Sequence, residues 1–373
     1  MRASSALAHA AIPLAVLAAG SSTAQEPDSV SAETYIKARP IERSAPSFPV
    51  DALSRGQEGW VMVSFIISPE GEVEEPMIED SSGVPSLERA ALQAVRKWRY
   101  SAALRNGTPV EQSMTKTRIV FELDGGRKGA SPQFVKKYRA VAQLIDNGEF
   151  AAVPALLEDM ESSGRVNLYE DAFFWWLKYV YLEKTKSADT KQMIDDLRSA
   201  IGYEEDYLPA DQFVVAAARL YALEVKTADL SHARSTFERL RDSKTARRSK
   251  QYTPVIEALS PSYMQIEQLI AGNTVLVAPG EIGNHDYWVH DLLRRSFSLG
   301  KINGRVDVVD VRCERGTKRY DSFPNDAVWQ VPKSWGPCGV YIKGEPGTTF
   351  TFEDRPEETS QGATPTADKE EQK

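Results

Sequence analysis

The chain has 373 residues, with 45 Lys+Arg against 53 Asp+Glu, a formal net charge of −8 and 42% hydrophobic residues. At roughly 100 to 200 residues per domain this length holds two or three domains with their own cores, and the acidic balance excludes a nucleic-acid binder that needs a basic face for phosphates. Two cysteines, Cys313 and Cys338, exclude a disulfide-dense scaffold and a multi-cysteine metal or iron–sulfur site.

Arg2, the apolar run Ala6 to Ala19 and the small residues Ser22-Thr23-Ala24 have the layout of a signal peptide over residues 1–24, with cleavage expected before Gln25. A retained membrane anchor is the alternative, against which the apolar run falls short of the roughly 20 residues that span a hydrocarbon core. Residues 25–34 read as a polar leader, and residues 35–125 as the first folded unit.

In that unit Trp60 to Ile67 is an expected strand with Val61, Val63, Phe65 and Ile67 on one face. The turn Ser68-Pro69-Glu70-Gly71 and a return strand over Glu72 to Glu79 complete a hairpin. The carboxylates Glu70, Glu72, Glu74, Glu75, Glu79 and Asp80 read as its solvated face. Ser86 is the expected N-cap of a helix whose stripe Leu87, Ala90, Ala91, Ala94, Val95 and Trp98 lies across the hairpin, ending near Tyr100. Beyond the Asn106-Gly107 turn, Met114 to Leu123 reads as a closing strand with Thr115, Thr117, Ile119 and Phe121 on one face. The order is β-β-α-β, a small α+β unit.

Ser47-Phe48-Pro49, Glu58-Gly59-Trp60-Val61 and Ile67-Ser68-Pro69-Glu70-Gly71-Glu72-Val73 come in this order, followed by Ser81-Ser82-Gly83, Leu87 with Ala90-Ala91, Arg96-Lys97-Trp98-Arg99-Tyr100, Asn106-Gly107 and Pro109-Val110. The ordered set resembles the TonB C-terminal domain family, with Pro49, Gly59, Gly71, Gly83, Trp98, Tyr100 and Gly107 as the family-motif structural positions. The resemblance implies a non-catalytic binding module of Gram-negative envelopes that adds an extended peptide of an outer-membrane transporter as a strand to its sheet edge. That edge would be Met114, Thr115, Lys116, Thr117, Arg118, Ile119, Val120, Phe121 and Glu122, with Lys116 and Arg118 exposed beside the incoming peptide. TonB carries an uncleaved membrane helix and a long Pro-rich linker, whereas a short polar leader stands here, and Ala45 stands where the family has a peptide-contacting Gln. The expected protein is therefore a periplasmic adaptor for an envelope protein or extended peptide. An inner-membrane-anchored energy transducer for a TonB-dependent transporter is the alternative, and edge pairing between two copies would give a homodimer.

Gly125-Gly126-Arg127-Lys128-Gly129 reads as a linker. Residues 130–270 show helical periodicity with several helix pairs, for example Lys137 to Asn147 with Phe150 to Ser162 and Gln212 to Lys226 with Asp229 to Asp242. The turns at Asn147-Gly148-Glu149-Phe150 and Ala228-Asp229-Leu230 resemble a tetratricopeptide-like pattern two repeats apart, against an ordinary bundle as the alternative. Phe173, Phe174, Trp175, Trp176, Tyr179 and Tyr181 read as core. Residues 273–352 alternate as strands of a small β-sandwich in which Cys313 and Cys338 are expected to pair. The acidic stretch 353–373 lacks large apolar residues and is expected to be a disordered tail.

His285-Asp286 and His290-Asp291 are the only His/Asp cluster, and their spacing misses the i, i+4 face of helical zinc sites. They support an envelope enzyme only as a third alternative. No catalytic, metal or cofactor motif emerges, so the expectation is an α+β multidomain binding protein without cofactor, metal or catalytic residue.

Overall fold

The computed structural model describes residues 33–123, 129–162, 167–203, 207–283 and 285–357. The expected signal segment, most of the leader, most of the glycine linker and the end of the acidic stretch lie outside them.

The N-terminal unit contains β1 (Tyr35–Ile36), β2 (Arg39–Glu42), α1 (Val50–Ser54), β3 (Gly59–Ile67), β4 (Val73–Ser81), α2 (Pro85–Val95), β5 (Arg99–Ser101), β6 (Ala103–Arg105), β7 (Thr108–Val110) and β8 (Gln112–Phe121). Its main sheet is antiparallel in the order β4-β3-β8. Alternate residues of β3 point to opposite faces, so Val61, Val63, Phe65 and Ile67 meet Leu87, Ala91 and Val95 of α2 in one core. Two expectations are corrected here. Pro85 opens α2 after Val84, which makes no side-chain capping bond, and Ser86 is a buried residue inside the helix. The helix also stops at Val95, because Arg99–Ser101 leave it to pair with β2. Trp98 reaches the same core from beyond the helix, its indole N–H donating to the Ser44 carbonyl at 2.8 Å.

The central unit is built from α3 (Pro132–Asn147), α4 (Val153–Ser162), α5 (Leu168–Lys184), α6 (Thr190–Gly202), α7 (Ala210–Lys226), α8 (Leu230–Asp242), α9 (Lys244–Arg248) and α10 (Thr253–Ala271). Three successive hairpins, α3/α4, α5/α6 and α7/α8, share one turn chemistry. Gly148, Lys186 and Ala228 adopt φ of 76°, 54° and 60°. Each donates its N–H three residues back, and the next residue donates five back: Glu149 to Leu144, Ser187 to Leu182 and Asp229 to Glu224, at 2.8 to 2.9 Å. This is a Schellman C-cap in triplicate. The middle copy, Lys186-Ser187, escapes sequence inspection because a lysine holds the left-handed position that normally signals glycine. Phe174 and Tyr179 are fully buried, and Phe173, Trp175, Trp176 and Tyr181 pack around them as core.

The C-terminal unit comprises β9 (Leu276–Glu281), β10 (Tyr287–Asp291), β11 (Ser296–Asn303), β12 (Val306–Cys313), β13 (Gly316–Tyr320), β14 (Val328–Gln330), β15 (Cys338–Gly344) and β16 (Thr349–Arg355). Two antiparallel four-stranded sheets, β10-β15-β12-β13 and β14-β11-β16-β9, enclose a core of Val309, Val311, Val340 and Ile342 against Phe297, Leu299, Phe350 and Phe352. Residues Glu353 to Arg355, assigned to the tail by composition, instead finish β16. Asp354 is buried, accepts the N–H groups of Leu293 and Arg294 at 3.1 and 3.3 Å, and lies 2.9 Å from His290 Nε2, which outweighs the cost of ordering an acidic segment.

Cys313 and Cys338 face each other across β12 and β15 and are bonded. In the loop-entropy account a crosslink over a sequence separation of 25 stabilises by about 3 kcal/mol. The Cys313→Ser, Cys338→Ser double variant should lose about that much in a urea titration. A loss under about 0.5 kcal/mol would show that the bridge does not constrain the unfolded chain.

Candidate functional site

β8 is the outer strand of the β4-β3-β8 sheet, and no further strand pairs with it among the described residues. The direction of its backbone groups follows from the other side of β3. Ser82 donates its N–H to the Trp60 carbonyl at 3.0 Å, and Trp60 N–H reaches the Ser82 hydroxyl at 3.1 Å, so the backbone of Trp60 points toward β4. Backbone groups alternate along an antiparallel strand, so Val61, Val63 and Phe65 point toward β8 and bond to their partners Ile119, Thr117 and Thr115. The N–H and C=O of Lys116, Arg118 and Val120 therefore point outward. Opposite Ile66, Ser113 and Met114 form a bulge in which Met114 has φ 56°, which ends the regular edge at Thr115.

The structure separates the nine expected edge residues. Thr115, Thr117, Ile119 and Phe121 lie on the α2 face, with Ile119 and Phe121 in the core. Met114, Lys116, Arg118 and Val120 lie on the opposite face, and Glu122 stands just past the strand. Lys116 and Arg118 are not simply exposed beside a vacant edge. The Lys116 ammonium sits 3.0 Å from Glu79 and 3.4 Å from Asp291. Burial disfavours that charge, but the two carboxylates outweigh it and hold the Lys116 pKa above the ordinary lysine value. The Arg118 guanidinium covers the Trp60 ring at 4.3 Å.

The family-motif positions are architectural. Pro49 precedes α1, Gly59 opens β3, and Gly83 and Gly107 lie in turns. Gly71 has φ 81°, and a Cβ there would collide with the Tyr100 carbonyl, while Tyr100 N–H donates to the Gly71 carbonyl at 2.9 Å. Trp98 and Tyr100 flank Phe65 at 6.1 and 5.7 Å between ring centroids.

Residues 44–123 match the family model described as Gram-negative bacterial TonB protein C-terminal. This segment is a TonB C-terminal domain. Protein TonB of Klebsiella pneumoniae is 38% identical to the chain over 87 residues, which is 23% of this chain and 33% of that protein. Protein tonB2 of Pseudomonas aeruginosa is 32% identical over 84 residues, 22% of this chain and 31% of that protein. The chain thus spans about a third of the length of these curated relatives. A solved structure of the TonB2 protein of Vibrio anguillarum is 33% identical and covers 23% of this chain and 82% of that one, with a TM-score of 0.20.

The second face of the TonB domain's sheet is covered from within the chain, while Glu70, Glu72, Glu74, Glu75 and Asp80 of the hairpin stay exposed as expected and only Glu79 is half-buried. Arg312 of β12, 1% exposed, donates to the Asp310 carboxylate at 2.8 Å, to the Glu75 carbonyl at 3.2 Å and to the Glu75 carboxylate. The Tyr341 hydroxyl donates to Glu79 at 2.6 Å, and burial with the Glu79 charge raises its pKa. The Tyr287 hydroxyl donates to the Ile78 carbonyl. Further along β3, Trp60 and Met62 enter the core of the helical unit, where Trp60 meets Tyr203 edge-on at 5.9 Å. These docking residues were missed in the sequence. The available signal was that β12 reads Val306-Asp307-Val308-Val309-Asp310-Val311-Arg312, charged residues alternating with a core face in a strand buried on both sides.

His290 is a core residue, stacked on Trp288 at 5.3 Å and bonded to Asp354, whereas His285 lies apart beside Tyr287. The structure therefore does not bring the two histidines into one constellation. No group of three metal-ligating side chains occurs among the described residues.

Proposed function

We propose that the chain is a periplasmic TonB-like adaptor that captures an extended segment of an envelope protein, in the first instance a TonB-dependent outer-membrane transporter, as an added strand beside β8. The observation that carries this reading is the regular stretch Thr115 to Phe121, whose residues Lys116 and Val120 turn N–H and C=O outward on an edge to which no further strand is hydrogen-bonded among the described residues. Each such bond contributes about 1 kcal/mol net, so a few of them with side-chain contacts suffice for a reversible complex. The helical unit, with its three like-capped hairpins, serves in this reading as a tetratricopeptide-like scaffold.

Val120 is the position for the test, because its N–H points outward and its side chain is 44% exposed. Proline there removes an outward donor while leaving the β3 ladder intact, as edge strands tolerate. With a synthetic peptide carrying the N-terminal extended segment of a TonB-dependent transporter, Val120→Pro should weaken binding about tenfold or more at unchanged circular dichroism. Equal binding by the folded variant would refute strand addition at β8.

The named matches to TonB proteins favour a second reading, an anchored energy transducer of the inner membrane. No described helix is long and apolar enough to cross a membrane, so the decision rests on residues 1–24. Intact mass after cell fractionation separates the two: a periplasmic species beginning at Gln25 supports the adaptor, and a full-length inner-membrane species supports the transducer.

A further inference from the structure

The β4-β3-β8 sheet has two edges, and the structure treats them differently. Because Met62 and Ser64 of β3 point toward β4, their partners Asp80 and Met77 carry the ladder, and the neighbouring residues Ser81, Ile78 and Pro76 face away from it. On that outer side Pro76 has no N–H to offer. The register is broken twice, between Met62 and Val63 and between Ser64 and Ile66, and Glu75 sits in the second break with φ 42°. Two of the carbonyls on this strand already have donors from elsewhere in the chain. Tyr287 of β10 bonds to the carbonyl of Ile78, and Arg312 of β12 bonds to that of Glu75. Both donors stand in the sheet β10-β15-β12-β13, so their spacing is set by strand pairing through β15. The contact is completed by Tyr341 with Ser64 and Glu79, and by Lys343 at 3.6 Å from Glu75. Along the regular part of β8 there is no proline, and its one break lies at the Ser113–Met114 end.

We propose that the C-terminal sandwich is the resident occupant of the β4 edge, closing it to any added strand and leaving β8 as the one acceptor edge of the TonB domain's main sheet. An isolated three-stranded sheet would present two rows of backbone groups and could join copies into chains through them. Here two carbonyls of one row, those of Glu75 and Ile78, accept from side chains held on a second sheet of the same molecule. Each chain then accepts one extended segment, and pairing between copies through β4 is closed. The proposal refines the strand-addition reading by assigning stoichiometry and direction, and its physical core, the sealing of β4, stands or falls without a partner.

The test is amide hydrogen exchange on the full disulfide-bonded chain, comparing wild type with Tyr287→Phe and with Arg312→Met. The wild type should show the ladder amides of β4, those of Met77 and Asp80, as well protected as those of β3. Either variant should speed exchange in the segment 73–82 about tenfold while the β8 segment keeps its wild-type rate. Wild-type exchange at β4 in both folded variants would overturn the proposal. Should Arg312→Met fail to fold, Tyr287→Phe decides alone, because it removes a single hydroxyl and keeps the ring. Loss of strand addition is read separately, from peptide binding by Val120→Pro, so the two ideas fail independently.

Discussion

Replacing Arg312 with alanine should lower the unfolding free energy by about 3 to 5 kcal/mol, the range for removing one partner of a buried ion pair. Arg312 is 1% exposed and Asp310 4% exposed, with 2.7 Å between the guanidinium and the carboxylate. The alanine variant leaves the Asp310 carboxylate buried with Lys343 at 3.8 Å as its nearest remaining cation, and also removes the bonds to Glu75 and the contact with the Tyr341 ring at 4.8 Å. The cost comes mainly from the stranded charge. Accordingly, Asp310→Asn combined with Arg312→Met should recover at least half of the loss, since neither charge then needs a partner. Urea unfolding followed by circular dichroism measures both variants. A loss below about 1 kcal/mol for Arg312→Ala would mean that solvent reaches this pair and that the sandwich is not clamped to the hairpin.

Trp60→Ala is expected to cost about 3 to 5 kcal/mol, as for other buried aromatic truncations. In a free-standing TonB domain the second face of β3 would meet water, and truncating a side chain there would matter little. In this chain Trp60 is 2% exposed, packs on Tyr203 and under Arg118, and leaves no room for a Cβ at Gly202. The lost indole opens a cavity between the sheet and the helical unit. Thermal unfolding should then show separate transitions for the two units, because the interface that couples them is gone. A single unshifted transition would contradict the coupling.

The local structure of the TonB domain was legible in the sequence because its determinants are local. Alternation along Trp60 to Ile67 defined β3 within a residue, and the Gly71 turn joined it to β4. The end of α2 was placed too late because the stripe Leu87 to Trp98 keeps helical spacing past Val95, while the competing pull, pairing of Arg99–Ser101 with β2, comes from residues some sixty positions earlier. The repeat in the helical unit was half legible: the turns at Gly148 and Ala228 were found as like segments, and the copy at Lys186 was hidden by a residue type that rarely holds that conformation.

For the candidate edge, the identity of β8 could be read from the family pattern, but the direction of its backbone groups could not. Strand alternation places side chains on two faces without saying which residues bond to β3, and that parity decides whether Ile119 or Val120 carries an outward donor. By itself the sequence determined an acidic multidomain chain with a TonB C-terminal segment, its hairpin, its closing strand and a central helical region, all set by short-range spacing and turn chemistry. Only the tertiary structure decided that the acidic hairpin is clamped, that Lys116 is paired and that β4 is covered. Those outcomes depend on contacts such as Arg312 with Glu75, 237 positions apart, in which a buried cation must find its carboxylate and carbonyl partners on a distant segment, so no local preference encodes them.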